Sequence, residues 1–215
     1  MSGEEIERLE EIAEKIPSMG GFEWRWVLRE LSAKAPAGTS IVEVGSWLGA
    51  GTAQLALGLR TREGSRAVQL HCFDRWQVKG SQVAKAARRG VELMLGSDTL
   101  PIIKETLEQF HVSITFHKGN ILDASWNHGP ISVYVDDAAK TAKNFRHALK
   151  TFGPHWIPGE TVVLLMDFLL WKTTALTEHQ CQKRFIEEYA GHFEELGDYM
   201  FRYKKALDFE NVRVN

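Results

Sequence analysis

Cysteine is scarce, with two residues, Cys72 and Cys181, in a chain of 215. Two thiols cannot build a disulfide scaffold or a four-thiolate zinc site. One lies in an apolar run and the other in a helix-like stretch, and both read as core thiols. An excess of one charge is missing too. Lys and Arg number 26 against 28 Asp and Glu, a net charge of −2. There is no basic surplus of the kind that grips nucleic acid or anionic lipid. No apolar run reaches the length of a membrane span, and the longest, Thr161 to Trp171, is broken by Asp167. The first residues, Met1 to Glu14, are acidic and amphipathic, without the basic start and apolar block of a secretion signal. The expectation is a cytoplasmic protein that binds no nucleic acid and no membrane. Repeats and low-complexity segments are absent as well. What remains is 44% hydrophobic and 25% charged residues, a balance suited to one compact α/β domain with a small extension.

Two amphipathic helices are predicted first, over 4–16 and 22–34, interrupted by Pro17 and Gly20-Gly21. They form a cap over residues 1–38, ahead of a main domain at 39–215. From residue 40 the pattern alternates. Strands are expected at 40–44, 67–73, 112–116, 131–135 and 161–166, with helices at 50–59, 82–94, 99–110, 141–151 and 177–196, and two strands within 199–214. Alternation of this kind builds a parallel sheet with helices on both faces, and such sheets bind ligands beyond the carboxyl ends of their strands. Those ends carry Gly45, Asp74, Asp136 and Asp167.

The most informative stretch is Glu43-Val44-Gly45-Ser46-Trp47-Leu48-Gly49-Ala50-Gly51-Thr52. A buried strand runs into a glycine-rich turn and then a helix. Glycine lets a ligand approach the backbone closely, and a helix N-terminus offers free N–H groups. The glycine spacing also fits short-chain dehydrogenases, but none of the four Tyr residues has the Lys four positions on that those enzymes use. Glu43, two residues before the first glycine, suits a ligand carrying a cationic amine.

The run from Glu43 to Gly49 resembles the first motif of class I S-adenosylmethionine-dependent methyltransferases, and more narrowly the small-molecule O-methyltransferases of the catechol and macrocin types. The resemblance covers roughly residues 20 to 170. It implies a Rossmann-like methyltransferase fold with a seven-stranded, mostly parallel sheet. It also implies that Glu43, Gly45, Ser46, Trp47, Gly49 and Thr52 wrap the methionine part of S-adenosylmethionine. Asp74, with Arg75 beside it, would hold the ribose hydroxyls, since a carboxylate can accept from two vicinal hydroxyls. Asn120 and Ile121 would meet the adenine, and Asp136 would open the catalytic face.

Metal-dependent members of the family carry an Asp after the fourth strand and a pair after the fifth. This chain offers Asp136-Asp137 and then a lone Asp167, flanked by Met166 and Phe168. Three readings stay open. A divalent cation such as Mg²⁺ binds through Asp136 or Asp137 with Asp167. Alternatively a carboxylate or Lys140 acts as the base, a lysine needing its pKa lowered for that work. Or the site is degenerate and only binds cofactor. Substrate walls are sought among the 7 Trp, with Trp47 and Trp76 beside cofactor motifs and Trp171 after the fifth strand. The basic face formed by Lys79, Lys85, Arg88 and Arg89 would serve as a lid toward an acidic substrate. The 8 His residues show no zinc-helix motif; His117 is expected at the surface, and His147 and His155 near the pocket.

The function implied is O-methylation of a small-molecule acceptor, a sugar or aromatic hydroxyl, by a homodimer. A non-catalytic cofactor-binding module is the main rival, and an NAD(P)-dependent dehydrogenase a lesser one.

Overall fold

The computed structural model describes residues 2–19, 23–62, 67–173 and 176–214. The expected break at Gly20-Gly21 and the side chain of Trp171 lie outside the described parts. Helix α1 (Gly3–Lys15) starts where the Ser2 hydroxyl accepts from the Glu5 N–H at 3.2 Å. It buries Leu9 and Ala13. Helix α2 (Glu23–Lys34) follows, and both pack on α3 (Ala50–Thr61). Gly58 permits the close crossing of α2 and α3: a Cβ there would meet Ser32 Oγ at 2.0 Å and the Arg29 carbonyl oxygen at 2.1 Å. The Arg60 guanidinium donates to Glu5 at 3.0 Å and ties α1 to α3.

The strands are β1 (Ser40–Val44), β2 (Gln69–Asp74), β3 (Ile114–Lys118), β4 (Ile131–Asp136), β5 (Val162–Leu165), β6 (Phe193–Gly197) and β7 (Met200–Tyr203). They form one sheet in the order β3-β2-β1-β4-β5-β7-β6. The first five are parallel, and β7 runs antiparallel to both β5 and β6. This is the Rossmann-like sheet expected. Strand β1 is buried at every position, as a central parallel strand must be. Its side chains alternate: Ile41 enters the core under α1 to α3, while Val42 and Val44 enter an aromatic core on the other face. That second core lies beneath α6 (Ala142–Phe152) and α7 (Cys181–Glu188). Both cysteines are free and buried, as expected of core thiols.

Three elements depart from the sequence pattern. Helix α4 (Gly80–Ala87) stops well before Met94. Gly90 adopts φ +74°, and the Val91 N–H donates back to the Ala86 carbonyl, a closure that seals a helix end. Helix α5 (Leu100–Glu108) then follows a bridge between Gln77 and Asp98. The long helix expected over 177–196 ends at Glu188, and Phe193 joins β6 opposite Tyr203. Phe185 still meets Tyr189 and Phe193, with ring centroids 5.2 and 5.5 Å apart, so the apolar face is kept while the backbone changes from helix to strand. Finally, 199–214 contains a single strand. Beyond it, phenols take the place of a ladder: the Leu207 N–H donates to Tyr203 Oη at 2.7 Å and the Arg213 N–H to Tyr189 Oη at 3.0 Å.

Candidate active site

Parallel register brings the exits of β1, β2 and β4 side by side. Val44 pairs with Phe73 on one side and Asp136 on the other. Gly45, Asp74 and Asp137 therefore emerge together at the carboxyl edge. Gly45 donates its N–H to the Phe73 carbonyl at 2.8 Å, and Asp137 donates to the Val44 carbonyl at 2.8 Å. Gly45 has φ +96°, and a Cβ on it would meet the Asp137 carbonyl carbon and oxygen at 2.8 Å. No side chain fits there without moving backbone.

A cleft of ≈ 430 Å³ opens at this edge, within the range of small-molecule sites. Of the residues expected to bind cofactor or act in catalysis, Gly45, Trp47, Asp74, Arg75, Asn120, Ile121, Asp137 and Lys140 line it. Glu43 and Ser46 border a smaller adjoining cavity that also touches Gly45 and Asp137. Gly49, Thr52, Asp136 and Asp167 line neither.

Asp74 organises the floor. Its two oxygens accept the backbone N–H of Trp47 at 2.9 Å and of Trp76 at 2.8 Å. Both tryptophans adopt positive φ, +44° and +46°, a region that costs a bulky residue energy. One carboxylate thus pins two strained turns. An ionised carboxylate offers about four lone-pair sites, so two remain for hydroxyl donors. Beside it, Phe73 and His117 stack at 4.1 Å, nearly parallel, and both face the cleft. His117 was expected at the surface; it is half-buried and forms part of this wall. Asn120 accepts from the Leu122 N–H at 3.3 Å and starts the turn that presents Ile121.

Glu43 does not reach out to a ligand amine. It is buried, and one oxygen accepts from Ser46 Oγ at 2.8 Å and from Thr52 Oγ1. It ties the loop to the first turn of α3 from beneath. Burial pushes its pKa up to about 6, against the hydrogen bonds from Thr52, Ser46 and Cys72. Thr52 and Gly49 likewise shape the loop from behind: Gly49 takes φ +86° at the start of α3.

Asp136 turns inward. It accepts from Tyr134 Oη at 3.0 Å and from the N–H groups of Ala138 and Ala139 at 3.2 and 2.8 Å. Asp167 accepts from Lys140, whose Nζ lies 2.7 Å from Oδ1, while its Oδ2 is buried without a hydrogen-bond partner. The Lys140 ammonium therefore stands beside the carboxylate expected to bind metal, and the other proposed ligand, Asp136, does not line the cleft. The pair Asp136 and Asp167 does not fit a divalent cation. Lys140 is also no free base. Burial works against its charge, but Asp167, with Asp137 and Asp136, outweighs that and raises its pKa. Asp137 is the carboxyl that borders both cavities. Burial first, then the Asp167 charge, pushes it up to about 8, with Lys140 opposing.

Sequence reasoning passed over Phe73, His117, Lys118 and Gln82 as cleft residues. The register of β2 against β3 brings Phe73, His117 and Lys118 there, and Gln82 arrives from the first turn of α4, so no local motif announces them. Of the basic face, Lys79 lines the cleft while Lys85, Arg88 and Arg89 do not. Trp47 does, Trp76 is core, and neither His147 nor His155 lines it.

The sheet order and the cleft at its carboxyl edge define a Rossmann-like methyltransferase. A profile of a methyltransferase domain matches residues 42–167, more than half of the chain, and the chain belongs to that family of class I methyltransferases. No curated protein matches it by sequence. Among solved structures it is similar to CalS11, a TDP-rhamnose 3'-O-methyltransferase of calicheamicin biosynthesis, at 12% identity over 93% of each chain and a TM-score of 0.56. It is similar to TomG from Streptomyces achromogenes, an O-methyltransferase of tomaymycin synthesis in complex with SAM, at 19% identity over 95% of this chain and 92% of that one, TM-score 0.51. An O-methyltransferase from Bacillus cereus in complex with SAH shares 17% identity over 95% and 92%, TM-score 0.52. At these identities the likeness is one of fold. Among the described residues no helix is long and apolar enough to cross a membrane.

Proposed function

We propose that the chain methylates a hydroxyl of a small molecule, with S-adenosylmethionine as donor and without a divalent metal. The observation that carries this reading is the convergence of the Gly45 loop, Asp74 and Asp137 on one cleft. The donor set suits the cofactor. Asp74 has lone pairs left for two vicinal hydroxyls, Phe73 and Ile121 offer flat and apolar walls, and Gly45 and Trp47 give a close backbone approach. Bound there, the cofactor supplies a methyl group already activated on a sulfonium. The protein's share is to align the acceptor and take its proton. Asp137 holds the place for that base, with a pKa near the working range. Lys140, kept cationic by Asp167, is a positioning residue that steadies the negative charge on Asp137.

A sugar or aromatic acceptor is the proposed substrate class. The likeness to CalS11, named for a TDP-rhamnose acceptor, supports the sugar class, and Lys79 in the cleft lining suits an acidic substituent. Residues 1–38 act as a helical cap. A homodimer completes the reading, on resemblance alone.

The test is calorimetric titration with S-adenosylhomocysteine on wild type and Asp74→Ala, with melting curves to show that the variant folds. Hydrogen bonds to a charged group contribute about 1.5–3 kcal/mol each, so the variant should bind roughly 10- to 100-fold more weakly. Absence of binding to the wild type would remove the methyltransferase reading. Binding without turnover on any hydroxyl acceptor would favour the non-catalytic module.

A further inference from the structure

Three histidines meet behind the cleft wall. His71 lies within β2, His117 near the end of β3, and His128 in the segment before β4. One ligand atom from each lies within 4.8 Å of the other two. They come from separate segments, so no sequence spacing announces them. His71 is buried at 2% exposure, His117 half-buried and His128 exposed. Trp126 covers the group edge-on, its ring 4.8 Å from His71 and 5.1 Å from His128.

We propose that His71, His117 and His128 form a site for a divalent transition-metal ion of the zinc class. The nitrogen geometry supports it. His71 Nδ1 and His117 Nε2 lie 3.0 Å apart. Ligands at 2.0–2.1 Å from a tetrahedral ion sit about 3.3 Å from each other, so that pair needs to open by only a few tenths of an ångström. The outer partner is also present. His71 Nε2 lies 3.2 Å from Gln69 Oε1. A carbonyl oxygen can only accept, so Nε2 carries the hydrogen and Nδ1 keeps its lone pair toward the ion. Metal-bound histidines are oriented by such a bond.

Without metal, His117 donates its Nε2–H to that lone pair. On binding, the His117 proton sits on Nδ1 instead, and no net proton is released. Imidazole ligands select zinc, nickel or copper over magnesium and calcium, which prefer oxygen. Three protein ligands leave the fourth position open toward the exposed His128 side. An ion there clamps β2, β3 and the segment before β4. It also fixes the His117 ring against Phe73, which makes the site a device for stiffening the cleft wall.

The test is a competition titration with Zn²⁺ against a chromophoric chelator, repeated with Co²⁺ for its visible absorption, on wild type and His128→Ala. His128 is exposed and lines no part of the cleft, so the variant should fold and bind S-adenosylhomocysteine as wild type does. One equivalent of zinc should bind wild type, unaffected by excess Mg²⁺. The variant should bind at least about tenfold more weakly, the loss that even an outer-shell substitution can cause. Zinc should raise Tm in wild type only. Equal uptake by both proteins, or none by wild type, would overturn the proposal whatever the cofactor titration shows.

Discussion

Neighbouring aspartates divide the work by direction alone. Asp136 ends β4 pointing into the aromatic core, where Tyr134 and two backbone N–H groups satisfy it. Asp137, one residue on, points the other way and borders both cavities. Sequence could name the pair but not choose between its members, because a strand end reverses side-chain direction at every step. With any acceptor that gives turnover, kcat/KM should rise with pH through about 8, where Asp137 ionises. Asp137→Asn should lower kcat roughly 10²- to 10⁴-fold and flatten that profile. A variant with full activity and an unchanged profile would exclude Asp137 as the base. Lys140→Met should leave some turnover and move the rise to higher pH, since the cation that opposes the Asp137 shift would be gone.

Elements were legible where local chemistry and tertiary contacts agree. The β1–loop–α3 unit was readable because a buried strand, a glycine loop and a helix start follow one another within a dozen residues. The part of the cleft lining built on that unit and on the end of β2 was readable for the same reason. Where tertiary pairing competes with local pattern, the reading failed. Phe185, Tyr189 and Phe193 keep helical spacing in sequence, yet Phe193 pairs across a strand with Tyr203. The histidine cluster was invisible because only the register of β2 against β3 assembles it. The crossing of α2 and α3 rests on Gly58, whose missing Cβ leaves room for Ser32 and the Arg29 carbonyl. Gly58→Ala should overpack that crossing and destabilise the fold by about 1–3 kcal/mol. Thermal melts should show this as a loss of several degrees, and an unchanged Tm would mean that the helices part without cost.

The whole molecule carries buried carboxyls whose effect on stability has a definite sign. Burial raises Glu43 and Asp136 to about 6 and Asp137 to about 8. A raised carboxyl pKa means that the folded state holds the proton more tightly. The stability this lends is full below the ordinary carboxylate range and is lost as pH climbs through the folded values. His71, lowered by burial to about 4, works the opposite way but only below its ordinary range. From about pH 6.5 to 8, Asp137 therefore dominates. Tm should fall across that window in wild type and stay nearly level in Asp137→Asn. An equal slope in both would deny the raised pKa. The segment after β7 has no regular structure, yet Phe209, Val212 and Val214 fill the aromatic core. Phe209 rests its ring 5.2 Å from Trp156 and occupies the space that a side chain at Gly153 would need. Circular dichroism is thus nearly blind to this part of the core, and the indole emission of Trp156 is its natural reporter.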